Sequence, residues 1–324
     1  MRNKLTKITL AAGIALAMAF TLNACGPSKA ELAIMAMPSI GKVSGLKNKL
    51  IWLQANVQSG GNYVIEIDAD EIGYFSYYSG FSYKDKNNIA ITLRGVGENR
   101  AILVSESGFR RFSVGSGVTV VLDENITLKE GIGFGALARV DSGGTLVMND
   151  GSAITGYTRN TEKDKTYRYR ESIVIHGAGV YVDDGGTFIM KGGNIYGNTI
   201  QPNPVKFIDP LSVPARNNNE SFNVNYYLLG AGVYVEGSGT FIKTGGTITG
   251  YSSDQKNGNM VKDVEGNVLS NFGHAIAFGT PANASKGKEP ITIDTTIGPE
   301  ITLNFSNGVL KKGKSEEAQP PESE

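Results

Sequence analysis

Gly177 to Asn198 reads GAGVYVDDGGTFIMKGGNIYGN, and Gly230 to Tyr251 reads GAGVYVEGSGTFIKTGGTITGY, with most positions shared. Gly135 to Tyr157 (GALARVDSGGTLVMNDGSAITGY) follows the same template. Ser113 to Leu128 (SVGSGVTVVLDENITL) is a weaker copy, and Gly273 to Phe278 (GHAIAF) a decayed later one. Within a unit, apolar residues alternate and then stop at Gly. Val180 and Val182 precede Asp183-Asp184-Gly185-Gly186, then come Phe188 and Met190, then Gly192-Gly193, then Ile195. Alternation with period two marks strands and the Gly pairs mark turns, so one unit makes three short strands. A single unit cannot bury its own apolar face, and its neighbours must cover it.

Outward from these units the fold follows. The inward positions are Val114, Val140, Val182 and Val235, then Val120, Leu146, Phe188 and Phe241, then Ile154, Ile195 and Ile248. Stacked at the roughly 4.8 Å strand spacing they form continuous apolar columns. The expected architecture is all-β, a right-handed parallel β-helix (solenoid) with a short N-terminal capping helix. A β-propeller or sandwich would need antiparallel hairpins, and hairpin dipeptides such as Asn-Gly rarely separate these strands. Strand-like runs at Tyr63–Ile67, Ile89–Leu93 and Ala101–Ser105 extend the array N-terminally, and Ile291–Ile293 with Ile301–Phe305 extend it C-terminally. The valines Val114, Val140, Val182 and Val235 are spaced by 26, 42 and 53 residues, so the later steps carry insertions, near 158–176 and 199–229. Insertions map to one rim of a solenoid, often its binding face.

Open strand edges at the ends of such an array invite pairing with other chains unless they are covered. Residues 44–60 offer the cover. Leu46, Leu50, Leu53 and Val57 share one helical face, Ser44 or Gly45 is the N-cap, Gly60-Gly61 the stop, and Trp52, the only Trp, packs there. The β-helix is expected over 61–306. The stretch 307–324, ending KKGKSEEAQPPESE, reads as a disordered tail. Lys243 takes the inward position that Met190 holds one unit earlier, which reads as a core frayed at its end.

The N-terminus sets the compartment. Arg2, Lys4 and Lys7 precede an uncharged run from Ile8 to Leu22, which is a signal-peptide pattern and short of the roughly 20 apolar residues of a membrane span. The run closes in Leu22-Asn23-Ala24-Cys25, and Cys25 is the only Cys. Leu-x-Ala-Cys at this place resembles the lipobox of bacterial lipoproteins. That resemblance implies cleavage after residue 24, lipidation of Cys25, a flexible tether over 25–43, and a membrane-anchored protein at the outer membrane or cell surface. Each buried CH₂ contributes about 0.8 kcal/mol, so two or three acyl chains suffice for lasting attachment. The 31 basic residues balance 31 acidic ones, so the electrostatic footprint of a nucleic-acid binder is missing.

Together the lipobox, the ITLRG run (Ile91 to Gly95), the FSVGSGVTVVLDENITLK run (Phe112 to Lys129) and the GAGVYV…GGTF…GGxIxGN units resemble surface lipoproteins with pectin-lyase-like right-handed β-helices, expanded in host-associated spirochaetes. The repeats are also similar to those of polymorphic outer-membrane proteins and autotransporter passenger domains. The resemblance covers the chain from the leader to about Phe305. It implies fold and compartment, and one β-helix hosts lyases, hydrolases, adhesins and spacers alike.

For chemistry, Asp141, Asp183 and Glu236 occupy equivalent positions, forming an acidic column beside Asp184 that would need water or a cation such as Ca²⁺. The plainer reading is that Asp before Gly-Gly favours a turn. No other cofactor is indicated. His176 and His274, the only histidines, lie beside no Ser or Cys nucleophile motif and read as polar turn residues. No G-x-S-x-G, H-E-x-x-H or P-loop pattern occurs.

Aromatic residues carry the binding idea. Tyr181 and Tyr234 are expected to stack outward below Arg139, Tyr74 to Tyr83 (YFSYYSGFSY) holds six aromatics in ten, the first insertion carries Tyr167-Arg168-Tyr169-Arg170, and the second Phe222, Tyr226 and Tyr227. Such residues anchor interfaces and stack on sugar rings, although Tyr is also an ordinary strand residue and can pack an insert onto its scaffold. Arg139, Tyr181, Tyr234, Tyr167 and Tyr169 are therefore the candidate ligand contacts. The expected function is a non-enzymatic surface module for a host or matrix glycan or protein. The alternatives are a polysaccharide lyase or hydrolase of the same fold, and a structural envelope component.

Overall fold

The computed structural model describes residues 43–73, 80–104, 112–133, 135–160, 172–203, 225–279 and 290–314. The leader, Cys25, most of the tether, Tyr74 to Ser79 of the aromatic run, and Tyr167 and Tyr169 lie outside them.

Among the described residues the chain is all-β with one helix. Helix α1 (Leu46–Asn56) is followed by β1 (Asn62–Ile67), β2 (Glu71–Gly73), β3 (Ile89–Gly95), β4 (Arg100–Val104), β5 (Phe112–Val114), β6 (Val118–Leu122) and β7 (Ile126–Gly133). The repeat region holds β8 (Ala138–Val140), β9 (Thr145–Met148), β10 (Ser152–Arg159), β11 (Ser172–His176), β12 (Val180–Val182), β13 (Thr187–Met190), β14 (Asn194–Tyr196), β15 (Thr199–Ile200), β16 (Asn225–Leu229), β17 (Val233–Val235), β18 (Thr240–Lys243) and β19 (Thr247–Ile248). The C-terminal part contributes β20 (Met260–Val261), β21 (Ile276–Phe278), β22 (Ile291–Ile293), β23 (Ile301–Ser306) and β24 (Val309–Lys314).

Three larger sheets collect these strands. Sheet A runs β1-β3-β6-β9-β13-β18-β23-β24, sheet B runs β19-β14-β10-β7-β4-β2, and sheet C runs β22-β21-β17-β12-β8-β5. From β5 to β19 the repeat strands enter C, A and B in turn, with β15 a further strand beside sheet B and β11 and β16 paired in a separate two-stranded sheet. Pairing between repeats is parallel and in register. Val114, Val140, Val182 and Val235 are cross-strand partners, as are Val120, Leu146, Phe188 and Phe241, and Ile154, Ile195 and Ile248. All these side chains are buried in one apolar cluster. Glycine closes the corners where the chain leaves one sheet for the next. Gly246 has φ +73°, and a Cβ there would stand 2.6 Å from the Gly192 and Gly193 backbone.

Two buried amides knit the corner after sheet B. The Asn198 side chain accepts from Tyr157 N (3.3 Å) and donates to Ile154 O (3.2 Å), Tyr196 O (3.1 Å) and Asn259 Oδ1 (2.9 Å). Asn259 in turn donates to Ile195 O (2.9 Å) and Thr249 O (2.7 Å). The second Gly of the Gly-Ala-Gly that opens each later unit lies against both the next coil's backbone, Gly232 O at 2.6 Å from a Cβ on Gly179 and Ala275 O at 2.4 Å from one on Gly232, and these amides. A Cβ on Gly179 would meet Asn198 Nδ2 at 3.0 Å, and one on Gly232 would meet Asn259 Nδ2 at 2.8 Å.

At the N-terminal end, α1 buries Leu46, Leu50 and Leu53, with Val57 beneath it and Trp52 edge-on to Tyr63 (6.2 Å). Gly45 is the N-cap and offers no side chain; the Glu71 carboxylate accepts from Leu46 N at 2.8 Å instead. A carboxylate at the positive end of the helix is favoured by its dipole.

The C-terminal end departs from expectation. Strand β22 pairs antiparallel with β21, and β23 antiparallel with β18, so both reverse the direction of the array. Residues 307–314 are no disordered tail: β23 and β24 form a hairpin whose turn places Asn307 and Gly308 at φ 50° and 75°. Asn-Gly between Phe305 and Val309 is the hairpin signal, and at this site it operates. The core is covered here, so Lys243 marks no frayed end. It is fully buried, and its Nζ donates to Gly298 O (2.7 Å) and Ile301 O (2.9 Å).

Burial lowers the Lys243 pKa from 10.5 to about 8, with Glu300 opposing the shift. A base depressed in the folded state contributes stability that is lost as pH falls through its folded value, and regained as pH rises. Stability is therefore expected to rise by about 1–2 kcal/mol between pH 7.5 and 9.5, below the ordinary Tyr range. Denaturant titrations at the two pH values measure it, and Lys243→Met should abolish the rise.

Candidate functional site

The outer face of sheet C carries the polar and aromatic residues singled out in the sequence. Arg139, Tyr181, Tyr234 and Ala277 are register partners across β8, β12, β17 and β21. Strand alternation points them away from the core side occupied by the flanking valines. One position past each last Val stand Asp141, Asp183 and Glu236.

Arg139 lies between the acids. Its Nε donates to Asp141 Oδ1 at 2.6 Å and its Nη2 to Asp183 Oδ2, while its guanidinium sits 5.2 Å from the Tyr181 ring centre. Burial works to lower the Arg139 pKa, but the Asp141 bond and the charges of Asp141 and Asp183 outweigh it and hold the pKa up. The Tyr181 hydroxyl donates to Glu236 Oε2. Glu236 is nevertheless pushed upward, because burial, with Asp184 and Asp183 nearby, exceeds that bond. Asp184 accepts from Ser238 N and Oγ, each at 2.8 Å.

At Asp141 and Asp183 a guanidinium stands where the column invited a cation, and Glu236 is bonded by the Tyr181 hydroxyl instead. Among the described residues, no group of three or more His, Cys, Asp and Glu side chains is placed to hold a metal ion. Calcium is expected to leave the thermal midpoint of the native chain unchanged. Arg139→Ala should cost about 1–2 kcal/mol, since it leaves Asp141 and Asp183 facing each other without their shared partner, and should make the midpoint rise with calcium. Melting both proteins with and without the ion checks this.

Tyr181 and Tyr234 do stack, with centroids 5.7 Å apart and planes 17° apart, but they form no open platform. Tyr234 is fully buried, and its hydroxyl donates to Gly279 O. What covers it is an insertion: β11 and β16 pair in parallel with each other, His176 opposite Leu229. His176 lies on Tyr234 at 4.2 Å and 17°, and parallel to Tyr181 at 6.4 Å. Leu229 and Ala277 complete a small apolar cluster with Tyr234. Tyr234 therefore packs against the ends of β11 and β16, through His176 and Leu229.

His176 is no turn residue either. It is 8% exposed, and its Nε2 has no hydrogen-bond partner among the described residues. Burial, aided by the Arg159 charge, lowers its pKa from 6.5 to about 3. Arg159 reaches in from β10, donating Nη1 to Gly177 O (2.9 Å) with its guanidinium 5.9 Å from the Tyr181 centre. His274 is likewise buried, its Nδ1 accepting from Val261 N at 3.0 Å.

Arg159 and the two buried amides were not singled out in the sequence. Asn198 ends its unit where Tyr157 and Tyr251 end theirs, a visible difference without a visible meaning. Asn259 stands eight residues after that position, behind an inserted turn. Arg159 lies just past a unit's end and carries no signal. No family model, curated protein or solved structure matches the chain.

Proposed function

We propose that the chain is a lipid-anchored cell-surface protein in which sheets A, B and C are the three faces of a right-handed parallel β-helix, and that it presents its insertions to a glycan or protein ligand. The order in which strands enter the sheets supports the winding. The hand follows from the strong preference of parallel crossovers for right-handedness. Anchoring through Cys25 rests on the leader sequence.

One observation carries the binding reading. The strands that follow both insertions, β11 and β16, pair side by side, and the residues that precede them, Arg159 and Ile200, are register partners too. Both insertions, segments 161–171 and 204–224, therefore leave and re-enter the array at matching positions of successive repeats. Those segments hold Tyr167, Arg168, Tyr169 and Arg170, and further apolar and polar residues from Pro204 to Val224. Tyr and Arg are the residues that interfaces use as anchors. Arg139, about a third exposed, adds a fixed cation on the outer face of sheet C.

The soluble domain with Cys25→Ser, and a version with 161–171 and 204–224 replaced by short Gly-Ser linkers, are to be screened on immobilised glycans and matrix proteins. Binding by the first and not the second is expected. Equal binding by both would refute a role for the insertions. Loss of membrane fractionation in Cys25→Ser checks the anchor.

The lyase reading has one point in its favour, a carboxylate pair with an Arg between them. Arg139 is poorly suited to act as a base, because both carboxylates hold it protonated. An absorbance assay on uronate polymers is expected to show no unsaturated product; its formation would replace the binding reading.

A further inference from the structure

Ile175 and Leu228 bury the β11–β16 pair in the main core, and one further contact, that of the pair with sheet C, depends on the charge of an imidazole. His176 ends β11, is buried, and lies flat on Tyr234 with its Nε2 unbonded among the described residues. The charged and titratable groups around it come from four strands. Arg159 is on β10 and Arg139 on β8, both beside the Tyr181 ring. Tyr181 is on β12 and Tyr234 on β17. Both tyrosines are neutral at physiological and acid pH, since burial raises their pKa values. The acids on the same outer face, Asp183 and Glu236, are bonded to Arg139 and Tyr181, and the charge that acts on His176 is that of Arg159. An imidazolium here would have to lose its hydration, would face the Arg159 charge, and would find those carboxylates already bonded.

We propose that the β11–β16 pair is an acid-loosened element, held to the array by burial of Ile175 and Leu228 and by neutral His176 on Tyr234, and opened more readily when that imidazole takes a proton. The inference holds whether or not the insertions bind anything, because it rests on the docked strands alone.

The sign follows from linkage. The docked state holds His176 at about 3 and the released state at its ordinary 6.5, so docking is fully favoured above 6.5 and is weakened as pH falls toward 3. Between pH 7.5 and 5 the opening equilibrium should rise about 30-fold.

Hydrogen–deuterium exchange on the mature chain, corrected for the intrinsic rate at each pH, measures this opening. Amides of β11 and β16 should lose protection by about that factor, while those of β13 in sheet A stay unchanged. His176→Phe keeps a flat ring without the titration, and its β11 and β16 protection should be the same at both pH values. An unchanged ratio in the native chain, or the same acid loss in His176→Phe, would overturn the proposal; the latter would point to Glu236. If His176→Phe does not fold, the imidazole NMR titration of the native chain decides. A resonance still neutral at pH 5 while docked supports the latch, and one titrating near 6.5 with no change in exchange contradicts it.

Discussion

Asn198→Ala is expected to cost about 3–4 kcal/mol and to lower the thermal midpoint by roughly 10 °C. The side chain is fully buried and serves four partners: Tyr157 N, Ile154 O, Tyr196 O and Asn259 Oδ1. Removing it strands the Tyr157 N–H in a site closed to water, and each unmet buried group costs about 1–3 kcal/mol. The truncation also opens a void against Gly179, whose missing Cβ is what lets the amide approach. Asn198→Asp should be no milder, because a carboxylate cannot donate to two carbonyls. Denaturant melts of the soluble domain give the magnitude. A loss under 1 kcal/mol would mean that the amides are tolerated passengers.

Phe241→Ala should cost about 3–5 kcal/mol. Phe241 is fully buried between Phe188, with centroids 5.2 Å apart, and Phe278 at 6.2 Å, and Phe278 continues to Phe305 at 4.5 Å. This aromatic column joins the last parallel repeats to the antiparallel strands that close the end. Its loss creates a cavity at the junction, so the C-terminal strands should open first. Exchange of β23 amides should accelerate more than that of β9. Uniform acceleration would show that the array unfolds as one unit and that the junction has no separate weakness.

The strand columns were legible because they are periodic. Val140, Val182 and Val235 repeat the same alternation before the same Gly turns, and the structure pairs them. The ends were not legible in this way. Ile301 to Phe305 alternates as a parallel strand would, and period two does not encode strand direction. The Asn307-Gly308 turn sets only β24 against β23; the direction of β23 against β18 depends on how the chain returns from β22, which no local pattern records. Lys243 looked misplaced because its acceptors, Gly298 O and Ile301 O, lie 55 and 58 residues away and are backbone atoms. Within the candidate site, the sequence aligned Arg139, Tyr181 and Tyr234 but gave no view of their cover. That depends on where an insertion lands, and no local pattern records it. The same holds for His176, whose burial comes from a neighbour in space.

The central claim is that successive repeats stack in parallel register, and paired cysteines test it directly in a chain whose sole native Cys is replaced by Cys25→Ser. Thr187 and Thr240 are cross-strand partners, and so are Thr145 and Thr187. Neighbouring parallel strands lie about 4.8 Å apart, within disulfide reach, whereas two steps, about 10 Å, exceed it. Mild oxidation should therefore cross-link Thr187→Cys with Thr240→Cys, and Thr145→Cys with Thr187→Cys, but not Thr145→Cys with Thr240→Cys. Cross-linking of the third pair as readily as the first two, or of none, would contradict the stacking on which the account rests.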